Sequence, residues 1–313
     1  MSVSGAAAVD GLHRRYRPAA PLDLHATLSP HMRGRRDPCH HVDAAGVHWR
    51  TWRTPDGAAT TRIGLDRAGG EIDVRAWGDG APWALDAVDG LLGAHDDWSE
   101  LVLDHRMLRE TRRRCHGLRL SKSGLVFEAL VPAIIEQLVT ELEARRTWTR
   151  LLNRFGEPAP GPIPVDLKVF PSAATLRQIP DWDWHQLGLD GRRRQTLRAA
   201  AQVAHRLDES RSLDVETSAR RLASLPGIGE WTVAETLQRS HGAPDLISVG
   251  DYHLSNVVGY LFTGEPRTDD AGLVSLLEPY RPHRQRVVRL VWAAGVGAPR
   301  YGARKAVRDF RRM

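Results

Sequence analysis

The sequence is poor in residues that could build a disulfide framework or a metal cluster. Its 313 residues include two cysteines, Cys39 and Cys115, too few for a four-thiolate cluster or a set of disulfides. Two histidines follow Cys39, but no second pair of ligands follows at zinc spacing. We therefore expect no required cofactor, and a structural or surface role for both thiols.

Long apolar runs are also missing. No run approaches the ~20 residues needed to cross a bilayer, and the N-terminus lacks the apolar core of a signal peptide. Residues 1–20 are small and basic, so we expect a flexible leader there. These absences exclude a membrane-embedded protein and lead us to expect a cytoplasmic one without a membrane partner.

Basic residues, in contrast, are abundant and concentrated in blocks. The formal net charge is +6, and residues 281–313 alone hold ten arginines or lysines against one acid, Asp309. Further basic blocks lie at 106–122 and 192–198. Such blocks favour a polyanionic partner, nucleic acid first. Solvated helix faces in an arginine-rich protein remain an equally good explanation of charge alone.

Periodicity divides the chain into modules. Alternating residues around 47–53, 60–65 and 71–77 predict a short antiparallel sheet, with a turn at 54–57. Apolar residues recur at helical spacing from Phe127 to Leu142, and helical segments follow in the rest of the chain. The predicted modules are a leader at 1–20, a β-rich domain at 21–104, a helical domain at 126–243, and a second helical domain joining 105–125 to 244–313.

The segment Leu225-Pro226-Gly227-Ile228-Gly229 predicts a tight turn between two helices, one ending near Ser224 and one starting at Glu230. Glycines leave backbone N–H groups uncovered at the start of the second helix. Such groups form an anion site suited to a phosphate. Ile228 is predicted to anchor the turn in the core.

An aspartate follows this turn after about twenty residues. Asp251 is well placed to cap a helix running toward Tyr260, and the helix N-terminus favours its charged form. A cap alone is one interpretation. The combination of Leu-Pro-Gly-Ile-Gly, Trp231-Thr232 and Asp251 resembles the helix-hairpin-helix DNA glycosylase superfamily, most nearly its bacterial 3-methyladenine DNA glycosylase II type. The resemblance spans roughly residues 40–300.

The resemblance implies an α+β fold: two mainly helical lobes around a cleft, with a small N-terminal antiparallel β domain. It implies a monomer that acts on damaged double-stranded DNA, associated with the nucleoid. The implied reaction is hydrolysis of the N-glycosidic bond of an alkylated purine, with base flipping and with Asp251 as the catalytic carboxylate. Relatives that also cut the strand carry a lysine at the position of Trp231. The resemblance therefore implies no lyase activity.

Further residues are carried over from the family by position. Trp231 and Trp292 would line the base pocket, where indoles suit a cationic base. Glu235 stands at the position of a pocket tyrosine, and Gly250 at that of a second acid, so both departures leave the substrate open. The residues expected to contact DNA are Gln137, Leu138, Gly227, Ile228, Gly229, Arg284 and Arg286.

Two of these expectations concern the hairpin and its neighbour. Leu138 would fill the gap left by the flipped nucleotide, although it also fits the apolar stripe of its helix. Main-chain carbonyls of Ala223, Leu225 and Ile228 would hold a structural Na⁺ or K⁺.

Three other functions remain open. A non-catalytic helix-hairpin-helix DNA-binding protein would have no need for Asp251. A glycosylase for a bulky or deaminated purine is compatible with Glu235. An RNA-binding or structural helical protein would explain the charge but not the hairpin, tryptophan and aspartate together.

Overall fold

The structure is a computed structural model that describes residues 11–66 and 70–298. The basic segment 300–312 lies outside this range, as does the first half of the predicted leader, residues 1–10. No helix of the described chain is long and apolar enough to span a membrane. The fold class is α+β, as predicted: a small antiparallel sheet at the N-terminus precedes two helical lobes.

The N-terminal sheet has five antiparallel strands in the order β1-β5-β4-β3-β2. Its strands are β1 (Leu12–Tyr16), β2 (His40–Val42), β3 (His48–Thr54), β4 (Gly57–Asp66) and β5 (Glu71–Trp77). Thr54 pairs with Gly57, so the predicted turn forms with Pro55 and Asp56 at its tip. Short helices α1 (Leu24–Leu28), α2 (Ala81–Asp86) and α3 (Val88–Leu91) accompany the sheet.

Strand β3 is buried on both faces. On one face Trp52 packs with Ile63 and Val74 in the core under α2 and α3. On the other, Trp49 stacks on Trp77 at 5.9 Å between ring centroids. Leu167 covers this pair, with Ile163 from the proline-rich loop packed beside it. Burial on both sides explains why large side chains point to both faces of β3.

The expected leader is partly wrong. Residues Leu12–Tyr16 form β1 at the edge of the sheet, with Arg14 opposite Val74 on β5. Arg14 also makes a two-oxygen ion pair with Asp89. The strand was missed because LHRRY alternates poorly and carries its charge on a sheet edge, where charged residues are common.

The first helical lobe packs around Trp184, Leu151 and Leu197, all fully buried. Its helices are α5 (Val126–Glu136), α6 (Glu141–Phe155), α7 (Ala173–Gln178), α8 (Asp181–Leu187), α9 (Gly191–Gln202), α10 (Ala204–Glu209), α11 (Val215–Ala223) and α12 (Glu230–Ser240). A two-strand ribbon, β6 (Glu157–Pro158) with β7 (Lys168–Val169), joins it to the sheet domain.

The second lobe has its own core, formed by residues such as Leu108, Val258, Leu273 and Leu290. Its helices are α4 (Arg106–Arg114), α13 (Leu254–Thr263), α14 (Asp270–Leu277) and α15 (Arg284–Ala293). Segments far apart in sequence therefore share one core. Helix α12 of the first lobe, helix α13 and helix α15 meet around a single cavity.

Candidate active site

The predicted hairpin lies between α11 and α12. The N–H of Ile228 donates to the carbonyl of Leu225 at 3.1 Å and closes the turn, while the Ile228 side chain is buried. Helix α12 starts after Gly229 without a side-chain cap. Within the described chain, the N–H groups of Gly227 and Gly229 donate to no residue. The turn therefore presents free donors at the start of an eleven-residue helix.

The two hairpin glycines differ in how strongly the fold restricts them. Gly227 has φ +83°, and a Cβ there would lie 2.1 Å from the Thr196 Oγ1. Gly229 has φ −100°, and a Cβ there would meet nothing within 4 Å. Gly227 is thus fixed by the fold, whereas Gly229 faces open space.

Asp251 lies at the start of α13. Its Oδ1 accepts hydrogen bonds from the N–H groups of His253 and Leu254, both at 2.9 Å. Among the described residues, none donates to Oδ2. Asp251 therefore satisfies two N–H groups at the start of the helix with one oxygen, and the residue itself lines the cavity.

A cavity of about 150 Å³ lies between the lobes. It is lined by Pro30, His31, Arg119, Leu120, Ser121, Glu235, Gln238, Arg239, Ser248, Asp251, Leu254, Gln285, Val288, Arg289 and Trp292. The set includes Asp251, Glu235 and Trp292 from the sequence prediction. Most of the other members are polar or cationic.

Glu235 forms an ion pair with Arg239 at 2.7 Å and accepts a hydrogen bond from the Ser248 hydroxyl at 2.5 Å. Burial raises the pKa of Glu235, but Arg239, Ser248 and Arg33 together lower it below its usual value. The carboxylate is therefore charged and neutralised by its neighbour on the same helix. The Glu235 side chain is only 14% exposed, so it does not extend into bulk solvent.

Helix α15 supplies one whole wall of the cavity. Gln285, Val288, Arg289 and Trp292 lie at helical spacing on its cavity face. Trp292 is 46% exposed, as expected for a ring at an open site. Gln285 and Arg289 were missed by the sequence analysis. Counting back three, four and seven residues from Trp292 would have found this face.

Trp231, in contrast, is not among the residues that line the cavity. It is half-buried on the first turn of α12. Because it lies four residues before Glu235, it belongs one helical turn nearer the hairpin. The prediction that Trp231 lines the pocket is therefore not supported by this geometry.

The expected DNA contacts of Arg284 and Arg286 are wrong. Arg284 is 8% exposed and holds Asp245 through two hydrogen bonds to its carboxylate. Arg286 is 6% exposed and pairs with the buried Asp96. In helical phase, both residues lie away from the Trp292 face. Each therefore ties α15 to the rest of its lobe.

Replacing Arg286 with methionine should accordingly affect stability rather than DNA binding. The change leaves the Asp96 carboxylate buried without its cation, at a cost of about 3 to 5 kcal/mol. Urea denaturation measures this loss, and Arg281→Met, which removes an exposed ion pair, should cost less than about 1 kcal/mol. If Arg286 contacted a DNA phosphate, Arg286→Met would instead reduce the slope of DNA affinity against salt concentration by about one ion.

Leu138 lies in a break between two helices. Helix α5 ends at Glu136 and α6 begins at Glu141, so the apolar stripe predicted through this region is interrupted. Leu138 is 87% exposed and has φ +56°, the only positive φ of a described non-glycine residue. An exposed leucine in a rarely populated backbone conformation is unexpected for packing and is common at functional sites.

Gln137 links this leucine to the hairpin. Its amide nitrogen donates to the carbonyl of Gly227 at 3.0 Å and to the Thr232 hydroxyl at 2.8 Å. Both amide hydrogens are thereby used within the protein. The geometry gives Gln137 a positioning role at the hairpin, and its predicted contact with DNA stays a prediction.

Comparisons with known proteins agree with this architecture. The probable bifunctional transcriptional activator/DNA repair enzyme AlkA of Mycobacterium tuberculosis is 29% identical over 151 residues, which cover 47% of this chain and 29% of that protein. The putative DNA-3-methyladenine glycosylase YfjP of Bacillus subtilis is 22% identical over 171 residues, or 53% of this chain and 58% of that protein. The chain thus matches less than two thirds of either relative. No protein-family model matches it.

Among solved structures, the 3-methyladenine DNA glycosylase of Archaeoglobus fulgidus superimposes with a TM-score of 0.74 at 17% identity. The match covers 90% of this chain and 98% of that one. The chain therefore has the fold of the helix-hairpin-helix DNA glycosylase superfamily. The predicted resemblance is confirmed in fold, and the local sequence similarity to the two relatives agrees with it.

Proposed function

We propose that this protein is a DNA glycosylase that removes a damaged purine from double-stranded DNA. The observation that carries the proposal is the position of Asp251, which lines the cavity between the lobes and has one oxygen to which no described residue donates. The hairpin and the exposed Leu138 are joined through Gln137. Together they supply an acid, a phosphate site and an apolar wedge.

The hairpin would hold the DNA backbone. Free N–H groups at Gly227 and Gly229 precede the positive end of α12, so a phosphate there gains both hydrogen bonds and the helix dipole. Carbonyls of Ala223 and Ile228 accept no hydrogen bond from any described residue, and that of Leu225 accepts one. These oxygens fit the Na⁺ or K⁺ that the resemblance implies, which would stiffen the turn.

Asp251 would then act on the sugar. Departure of the base leaves an oxocarbenium-like cation at the sugar, and the uncommitted Oδ2 can stabilise that charge and orient a water molecule. The cap through Oδ1 fixes the carboxylate before the reaction begins, so no reorganisation is needed. Among the described residues that line the cavity there is no lysine, which supports hydrolysis without strand cleavage.

Leu138 would enter the duplex where the flipped nucleotide leaves a gap. Replacing it with alanine removes apolar surface that offsets unstacking, so base release at limiting enzyme should fall about tenfold, or roughly 1.4 kcal/mol. Leu142→Ala, an exposed leucine on α6, is the matched control and should change little. Equal rates for the Leu138→Ala and wild-type proteins would contradict the wedge role. Folding should be unaffected in both variants.

The relatives' names suggest an alkylated purine, such as 3-methyladenine, as the first substrate to test. Methylated duplex DNA should lose free purine bases and gain abasic sites that break only after alkali or heat. Strand breaks without alkali would contradict hydrolysis without lyase chemistry. If the protein binds methylated, deaminated and oxidised DNA but releases no base from any of them, it is a non-catalytic DNA-binding protein.

A further inference from the structure

The charges around the cavity are unequal. Glu235 and Arg239 neutralise each other, and Asp251 has its uncommitted oxygen available for the sugar. Arg119 and Arg289 also line the cavity, and neither forms an ion pair with a described carboxylate. Arg119 donates to the carbonyls of His116 and Leu118, and Arg289 donates to that of Ala26.

Arg289 is a partly buried cation, and no described carboxylate pairs with it. Burial, with a smaller effect of Arg239, lowers its pKa to about 10, so it stays charged at neutral pH. Burial, followed by Arg50 and Arg239, lowers the pKa of His31 well below its usual value, so this lining residue is neutral. A partly buried guanidinium without a carboxylate has lost part of its hydration, and the acceptor atoms of a ligand can replace it.

Gln285 points to the same kind of ligand. Its side chain is 6% exposed, and its Oε1 is buried without a hydrogen-bond partner. Gln285 also lines the cavity, one helical turn before Arg289. An unpartnered buried amide is one that a bound molecule can satisfy, since it offers an acceptor beside a donor.

We infer that the cavity selects an uncharged keto purine over a cationic alkylated one, given the glycosylase function proposed above. The N1–H of a keto purine can donate to the Oε1 of Gln285, and the C6=O oxygen can accept from its Nε2. Arg119 and Arg289 only donate hydrogen bonds, so they favour the carbonyl oxygens of such a base. A purine methylated at N3 or N7 would bring a third positive charge beside two unpaired ones.

Aromatic side chains do not reverse this preference. Strong recognition of a cationic ligand by aromatic rings typically uses a cage of several ring faces. Trp292 is the one tryptophan, tyrosine or phenylalanine among the lining residues that the structure describes. Trp292 can stack on a base of either charge.

Equilibrium binding of DNA tests the inference, because binding, unlike the rate of base release, does not depend on how readily each base leaves the sugar. The wild-type protein is titrated with duplexes that carry 2′-fluorinated nucleotides, whose glycosidic bonds resist cleavage. The bases are hypoxanthine, 8-oxoguanine and N7-methylguanine. N7-methylguanine shares the keto edge but carries a positive charge. We expect the two uncharged lesions to bind at least about tenfold more tightly than N7-methylguanine.

Variants locate the cause of that preference. Arg289→Met should lower the ratio clearly, although Arg119 remains, whereas Arg289→Lys, which keeps the charge, should preserve it. Gln285→Leu should weaken binding of all three keto bases by a similar factor, with no change for an abasic duplex. Thermal melting of each variant confirms that it is folded. If Arg289→Met is unfolded, the affinity ratios of the wild type and of Arg289→Lys still test the inference.

Equal or tighter binding of N7-methylguanine by the wild-type protein would overturn the inference, as would an unchanged ratio in a folded Arg289→Met protein. Base release from unfluorinated duplexes separates this failure from failure of the proposed function. Release of methylated purines alone would keep the glycosylase and reject the keto preference. Release of no base from any duplex would reject the glycosylase itself.

Discussion

Replacing Asp251 with asparagine should lower the single-turnover rate of base release about 100- to 1000-fold, the usual effect of removing one electrostatic stabiliser. Binding of lesion-containing DNA should change little, because the lost interaction forms only as the sugar becomes cationic. Asparagine caps helices as well as aspartate does, so its side-chain oxygen can keep the bonds to His253 and Leu254. The expected loss therefore isolates charge from structure.

Asp269→Asn is the matched control for this substitution. Asp269 caps α14 by accepting from the N–H of Gly272 at 2.8 Å, and it does not line the cavity. The control variant should release base at the wild-type rate. Similar rates for Asp251→Asn and the wild type would show that Asp251 is only a cap.

Substitutions at the two hairpin glycines should separate DNA binding from folding. Gly229→Asp places a negative charge beside the proposed phosphate site, in open space and with an extended φ that aspartate adopts freely. DNA affinity should fall at least about tenfold at low salt, with no loss of thermal stability. Gly229→Ala is the control, and it should bind within a small factor of the wild type.

Gly227→Ala should show the opposite behaviour. A positive φ costs a non-glycine residue about 1 to 3 kcal/mol, and the new Cβ would also collide with Thr196. Urea denaturation should therefore show a clear loss of stability. Normal DNA affinity of Gly229→Asp would contradict the hairpin as a phosphate site, whatever the outcome at Gly227.

Much of the architecture was predictable because local signals agreed with the final packing. The strands predicted around 47–53, 60–65 and 71–77 and the helix predicted to start at Glu230 all formed, with the middle strand extended to Gly57–Asp66. The hairpin and Asp251 were found because glycine, proline and a helix cap each restrict the backbone in a recognisable way.

The errors arose where long-range contacts decide a residue's role. Arg284 and Arg286 are basic in sequence, but their carboxylate partners, Asp245 and Asp96, are distant in the chain. Position in a basic block therefore gave no information on which face of α15 they occupy. Leu138 was ambiguous for a similar reason. The helix ends at Glu136, so Leu138 is exposed although its spacing fits the buried apolar face of a continuous helix.

The cavity itself was the least predictable feature. Its cations, Arg119, Arg239 and Arg289, come from three separate segments. Their pairing could not be read from spacing, apart from Glu235 with Arg239 at four residues. The difference between a neutralised arginine and an unpaired one depends on which lobes meet, and only the folded chain specifies that.

The account rests on Asp251 facing a sugar that becomes positively charged. The most direct measurement compares affinities for two uncleavable abasic duplexes, one with a cationic pyrrolidine in place of the sugar and one with neutral tetrahydrofuran. The wild-type protein should prefer the pyrrolidine by at least about tenfold, and Asp251→Asn should lose that preference. Equal affinity of the wild-type protein for both duplexes, or an undiminished preference in Asp251→Asn, would contradict the account.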